Sequence, residues 1–165
     1  MLSEYVKTGS FTLSSGKKSN YYINIKEACT SPDVLKEIAK EMSKCVKKEE
    51  VDRIAGIALG GVPIAVALGL KLDIPFLMVR GDKKGHGTLA RIEGAFKKGD
   101  MVIMVEDVVT TGGSVMAGVK EIRKKGVCEK VLSVVDRKEG ALELLREHDV
   151  ELTSLISARN LFGGD

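Results

Sequence analysis

The chain has 165 residues, the length of one ordinary domain, and its 44% hydrophobic content suits a packed core and argues against disorder. Its 26 basic and 23 acidic residues leave a net charge of +3, and the lysines fall in scattered pairs such as Lys17-Lys18, Lys47-Lys48 and Lys124-Lys125. With aromatics at 4% and no Trp, the composition does not indicate a nucleic-acid surface of clustered cations and stacking rings.

One unit is expected over residues 1–165, with 1–30 as a small irregular segment and 31–165 as the core. Short extended pieces are predicted at 10–13 and 21–25, around a Ser15-Gly-Lys-Lys-Ser19 loop. Ser31 as N-cap and Pro32 at the first helical position start a helix. Its buried stripe is Val34, Leu35, Ile38, Ala39, Met42, Cys45 and Val46. Apolar runs at 53–59, 76–79, 101–105, 131–135 and 150–156 predict strands, separated by helices at 62–70, 114–125 and 141–147. The central runs are continuously apolar, as parallel strands covered on both faces require. The alternation predicts an α/β fold with an open, mainly parallel sheet flanked by helices, binding its ligands beyond the carboxyl ends of the strands. Cys29, Cys45 and Cys128 are far apart and form no C-x-x-C pair, so neither a zinc site nor a disulfide framework is indicated. No signal peptide opens the chain and no apolar run is long enough to span a bilayer, so a cytoplasmic location is expected.

The most informative string is Val102-Ile-Met-Val-Glu-Asp-Val-Val-Thr-Thr-Gly-Gly-Ser114. A buried strand runs into Glu106 and Asp107, passes Val108 and Val109, and reaches a Thr110-Thr111-Gly112-Gly113-Ser114 turn that opens a helix. That turn offers consecutive backbone N–H groups, small residues and three hydroxyls at a helix N-terminus, which together make a phosphate cradle. The two carboxylates lie about one sugar's length away, as charged acceptors for vicinal ribose hydroxyls. Neither G-x-x-x-x-G-K-[ST] nor a G-x-G-x-x-G after a strand occurs.

This string resembles the 5-phosphoribosyl-1-diphosphate signature of the type I phosphoribosyltransferases. The resemblance implies that residues 110–114 hold the 5′-phosphate, and that Glu106 and Asp107 hold the 2′- and 3′-hydroxyls. Three further segments resemble orotate phosphoribosyltransferases. Residues 11–26 (Phe-Thr-Leu-Ser-Ser-Gly-Lys-Lys-Ser-Asn-Tyr-Tyr-Ile-Asn-Ile-Lys) resemble their base-site segment, which makes 1–30 a hood. Residues 80–88 (Arg-Gly-Asp-Lys-Lys-Gly-His-Gly-Thr) resemble their mobile catalytic loop, and 134–140 (Val-Val-Asp-Arg-Lys-Glu-Gly) a strand end that presents an arginine to the base.

By matching position, Arg80, Lys84 and His86 contact the diphosphate, and Lys84, His86 and Asp107 carry the catalysis. Thr110, Arg137, Tyr21 and Tyr22 would face orotate. Arg137 can pair a carboxylate through its planar fork, or else pair with Asp136 or Glu139 at the surface. Tyr21 and Tyr22 supply either a flat wall or ordinary packing. Residues 81–94 form either a lid over the diphosphate or a solvated loop, and Leu59-Gly60-Gly61-Val62, with Pro63 starting a helix, is a second anion nest.

Some positions depart from the family. Gly81, Gly60 and Ser14 stand where some members carry lysine, and the amino terminus is shorter than usual. The resemblance implies Mg²⁺ held mainly by substrate oxygens, and a homodimer with the loop shared across the interface. It implies small-molecule substrates, with no nucleic acid and no membrane. The alternatives are a purine phosphoribosyltransferase and a non-catalytic sensor of the same donor.

Overall fold

The computed structural model describes residues 6–12, 18–81 and 90–157. The elements in chain order are β1 (Val6–Thr12), β2 (Lys18–Ile23), α1 (Ile25–Ala28), α2 (Pro32–Ser43), β3 (Arg53–Ile57), α3 (Gly61–Leu72) and β4 (Phe76–Gly81). They continue with β5 (Ala90–Glu93), β6 (Met101–Val109), α4 (Gly113–Arg123), β7 (Val127–Asp136), α5 (Ala141–Arg146) and β8 (Glu151–Ser157). β1 and β2 pair antiparallel as a separate two-stranded sheet. The main sheet has six strands in the order β5-β4-β3-β6-β7-β8, all parallel except the edge strand β5.

Strand alternation divides the core into two layers. Ile54, Ile103, Val105, Leu132 and Val134 point to one face, where they pack with Ile38 and Met42 of α2, Ile64 and Leu68 of α3, and Ile25 of α1. Ala55, Leu77, Val79, Met104 and Val131 point to the other, under Val115, Val119 and Ile122 of α4 and Leu145 of α5. Burial on both faces explains why these strands read as unbroken apolar runs. Among the described residues no helix is long and apolar enough to cross a membrane.

Several predicted boundaries move. β6 runs on through Glu106 and Asp107 to Val109, with Glu106 opposite Ser133 and Val109 opposite Asp136. The carboxylates belong to the strand rather than to the turn after it. α2 stops at Ser43, so Cys45 and Val46 lie beyond it and pack against the core only in part. Ile25, expected at the end of an extended piece, instead opens the short helix α1. β5 falls inside the segment 81–94 expected to be a loop; its paired residues Arg91 and Glu93 alternate with Ile92, which reaches the core.

Candidate active site

The chain order places β4 on one side of β3 and β6, β7 and β8 on the other, so connections leave in opposite directions between β3 and β6. At such a switch point the two loops diverge and leave a crevice at the carboxyl ends of the strands. A cavity of about 300 Å³ lies there, lined by Lys26, residues 58–60 after β3, Glu106 and Asp107 of β6, and residues 108–115 leading into α4.

Gly112 ends the loop with φ +83°, and a Cβ there would lie 3.1 Å from Ala141 Cα. Glycine therefore lets the loop turn sharply and sit against α5. The loop is tied from behind by Arg137 N–H donating to Val109 O (3.0 Å) and Ala141 N–H donating to Thr110 O (3.1 Å). The first N–H groups of α4 have no partner within the helix, and no side chain caps them. Thr111, Gly113 and Ser114 are exposed beside them. Rigid, outward-facing donors at a helix N-terminus suit a phosphate.

The carboxylates at the other end of the cavity are both buried. Glu106 Oε1 accepts from Asp107 N–H (2.9 Å), and Asp107 Oδ1 accepts from Val108 N–H (2.9 Å). Burial pushes Glu106 well above its ordinary 4.5, and the adjoining Asp107 carboxylate adds to the shift, so Glu106 tends to keep its proton. Asp107 Oδ2 takes no directed hydrogen bond from the described residues and faces Lys26 Nζ at 3.0 Å as an ion pair. Behind it Cys29 is a thiol, raised to about 11 by burial and by the Asp107 charge.

The turn after β3 is fitted to this pair. A Cβ on Gly60 would overlap Asp107 Oδ2 and lie 2.9 Å from Asp107 Cβ, and one on Gly61 would overlap Val105 O. Glycine at both positions brings the N-terminus of α3 down onto the end of β6. The sequence pointed to this turn but not to Lys26, the one cation among the described residues that line this cavity.

The amino-acid sequence of residues 24–164 matches the family model described as "Phosphoribosyl transferase domain". The chain is 49% identical over 157 residues to orotate phosphoribosyltransferase of Methanocaldococcus jannaschii, covering 94% of this chain and 89% of that protein. It is equally identical to the Methanosarcina mazei enzyme of the same name, over 94% of this chain and 84% of that one. The crystal structure of orotate phosphoribosyltransferase from Aeropyrum pernix superimposes with a TM-score of 0.87 at 33% identity, covering 96% of this chain and 91% of that chain. The chain belongs to the orotate phosphoribosyltransferase family.

The remaining residues that the family resemblance singled out are placed unevenly. Arg80 stands on β4 with Nη2 3.1 Å from Glu93 Oε1 of β5, outside the cavity lining. Arg137 follows β7 with its side chain 6% exposed and Nε donating to Glu139 Oε1 (3.0 Å). It is therefore a buried arginine, while Asp136 is taken by Lys138 (2.8 Å). Tyr21 and Tyr22 lie on β2 opposite Thr8 and Lys7. Lys84 and His86 lie outside the described residues, as does Ser14.

Proposed function

We propose that this chain transfers the phosphoribosyl group of 5-phosphoribosyl-1-diphosphate to N1 of orotate, giving orotidine 5′-phosphate and diphosphate in pyrimidine biosynthesis. The observation that carries the reading is the cavity at the β3–β6 switch point, with the N-terminus of α4 at one end and the Glu106–Asp107 pair at the other. Residues 110–114 receive the 5′-phosphate, Val108 and Val109 complete the donor loop, and Glu106 and Asp107 take the ribose hydroxyls. Fixing both ends of the sugar holds C1 in place while its bond to the diphosphate breaks. Positive charge then builds on the ribose beside an acidic pair, which stabilises it. Arg80, Lys84 and His86 are assigned to the leaving diphosphate, as the family resemblance implies, and the segment between β4 and β5 is assigned the lid role that keeps water from the donor. Thr110, Arg137, Tyr21 and Tyr22 are assigned to orotate, as the family resemblance implies. Orotate reacts as an anion, so no strong protein base is needed.

Among the described residues no cluster of three or more His, Cys, Asp or Glu forms a metal cage. Mg²⁺ would take its ligands from donor oxygens and water, with Glu106 and Asp107 acting on it only through the ribose hydroxyls they receive. When bound, the ion neutralises charge on the leaving diphosphate. The whole chain acts as one domain, a hood over a core, in the cytoplasm.

A homodimer is supported by exposed apolar side chains on α3 and β4. Leu70 of α3 is 81% exposed, and Phe76 and Met78, two apart on β4, are 41% and 39% exposed. A second copy packed on this side would remove these side chains from water. A purine acceptor and a non-catalytic donor sensor are not favoured, because the relatives matched along almost the full chain carry the orotate name. Diphosphate release measured with orotate, uracil, hypoxanthine, guanine and adenine tests the assignment. Orotate should be the preferred acceptor, and a faster rate with any other base would overturn it.

A further inference from the structure

We infer that Lys26 is a further donor-site residue, which balances the Glu106–Asp107 pair before the donor arrives and then pairs an anionic oxygen of the donor. The inference rests on the donor-site reading above and adds a residue to it.

The local sequence fixes where Lys26 points. Asn24 caps α1, with its Oδ1 accepting from Glu27 N–H (3.3 Å) and its Nδ2 donating to Glu27 Oε2 (2.6 Å). The Asn24 side chain thus caps the helix and also binds the Glu27 side chain at the third helical position, which fixes the start of this four-residue helix. Ile25 and Ala28 are 1% and 0% exposed and anchor the helix to the core layer that also covers Ile103 and Val105. Lys26, between them, reaches toward the end of β6.

Its place relative to Asp107 suggests more than a structural ion pair. The Lys26 side chain is 51% exposed and that of Asp107 only 7%, so the cation lies on the open side and the carboxylate behind it. Among the described residues that line the cavity, Lys26 is the single cation, and Glu106 and Asp107 are the acidic residues. A polyanionic donor approaching two carboxylates without a cation would be repelled just where its hydroxyls must bind.

Gly60 makes the arrangement specific to this turn. A side chain there would occupy the space of the Asp107 carboxylate, so the turn after β3 cannot bring a cation from that position while Asp107 stays where it is. Lys26 enters from α1 instead. Its four-carbon stem allows the ammonium to move from Asp107 to a donor oxygen without shifting the backbone.

The test is titration calorimetry of 5-phosphoribosyl-1-diphosphate with Mg²⁺ at low and high salt. The proteins are the wild type, Lys26→Met, Lys26→Arg, and Lys26→Met in an Asp107→Asn background, with thermal unfolding to confirm the fold. Lys26→Met should weaken donor binding roughly tenfold or more and flatten its salt dependence. Lys26→Arg should retain most of the affinity. The loss should persist in the Asp107→Asn background, because the lost partner is the donor itself. Wild-type affinity in folded Lys26→Met would overturn the inference and leave the donor site standing. So would a loss that disappears once Asp107 is neutral, which would reduce Lys26 to a holder of Asp107. If the wild type itself fails to bind the donor, the donor-site reading falls, and this inference with it.

Discussion

Gly60→Ala tests whether the turn after β3 and the acidic pair form one device. Gly60 has ordinary right-handed dihedrals, φ −70° and ψ −32°, so alanine meets no backbone objection. The obstacle is space: the new Cβ would overlap the Asp107 carboxylate and lie 2.9 Å from Asp107 Cβ. One of the two must move, and overpacking of this kind costs about 1–3 kcal/mol. If the Asp107 side chain gives way, a charge-assisted contact to a ribose hydroxyl worth about 1.5–3 kcal/mol is lost, roughly ten- to a hundredfold in donor affinity. Calorimetric titration with the donor reads the second effect, and thermal unfolding reads the first. In an Asp107→Gly background both overlapping groups are absent, and Gly60→Ala should then cost little stability. Such non-additivity marks a direct contact. Wild-type donor affinity in Gly60→Ala would refute the reasoning, as would an equal stability loss in both backgrounds.

Arg137→Lys should lower kcat/KM for orotate by about 2–3 kcal/mol and leave donor affinity nearly unchanged, since a point charge cannot reproduce a bidentate fork; equal loss of donor and orotate binding would mean that Arg137 only supports the fold. Glu106→Gln should change how stability depends on pH. A carboxyl raised in the folded state contributes fully below the unfolded value near 4.5, and that contribution is lost as pH rises through the folded value. The variant should therefore gain on the wild type as pH rises above 4.5, and parallel melting curves across that range would disprove the buried proton. Lys84→Ala and Asp107→Ala, each inactive alone, should recover roughly a quarter of wild-type activity when refolded together, because half of randomly reassorted dimers are mixed and hold one intact site. No recovery, with mixed dimers confirmed by mass spectrometry, would defeat the shared-site dimer.

The central strands were legible because burial on both faces forces unbroken apolar runs, as in Ile54-Ala55 and Ile103-Met104-Val105, which face opposite core layers. β5 was not, because an edge strand covered on one side needs only Ile92 against the core. The extension of β6 was hidden by chemistry. Two consecutive carboxylates read as a strand end, yet their backbone stays in the ladder beside Ser133 while their side chains line the cavity.

Loop 110–114 at the cavity could be read from its own residues, since small residues and hydroxyls ahead of a helix form a local string. Lys26 could not, because its role depends on α1 packing beside β6, a contact between distant parts of the chain. The one local clue was the spacing of Asn24 and Glu27, which marks a helix start where an extended segment was expected. Arg137 stood between. Its strand-end position was visible, but its burial against Glu139 was set by the β7–α5 connection and not by its neighbours' charge alone.

The site also joins two opposing electrostatic elements, and their opposition yields a prediction of mixed sign. The N-termini of α3 and α4 both end at the cavity and favour an anion, while Asp107 stands between them and disfavours one. A ligand with both phosphate and vicinal hydroxyls gains from each. Inorganic diphosphate, which has no hydroxyl to donate, gains only from the helix ends and is repelled by the carboxylate. A unit-charge repulsion at about 4 Å is of order 4 kcal/mol at an effective dielectric near 20, and salt screening reduces what is felt across an open cavity. Asp107→Asn keeps the shape and removes the charge, and it releases Lys26 from its ion pair. Affinity for the donor should therefore fall roughly tenfold or more through the weakened hydroxyl contact. Affinity for inorganic diphosphate should rise severalfold. Titrating both ligands against the same folded variant separates the signs. A fall for both would mean that Asp107 shapes the cavity and does not select a ligand that brings its own hydroxyls.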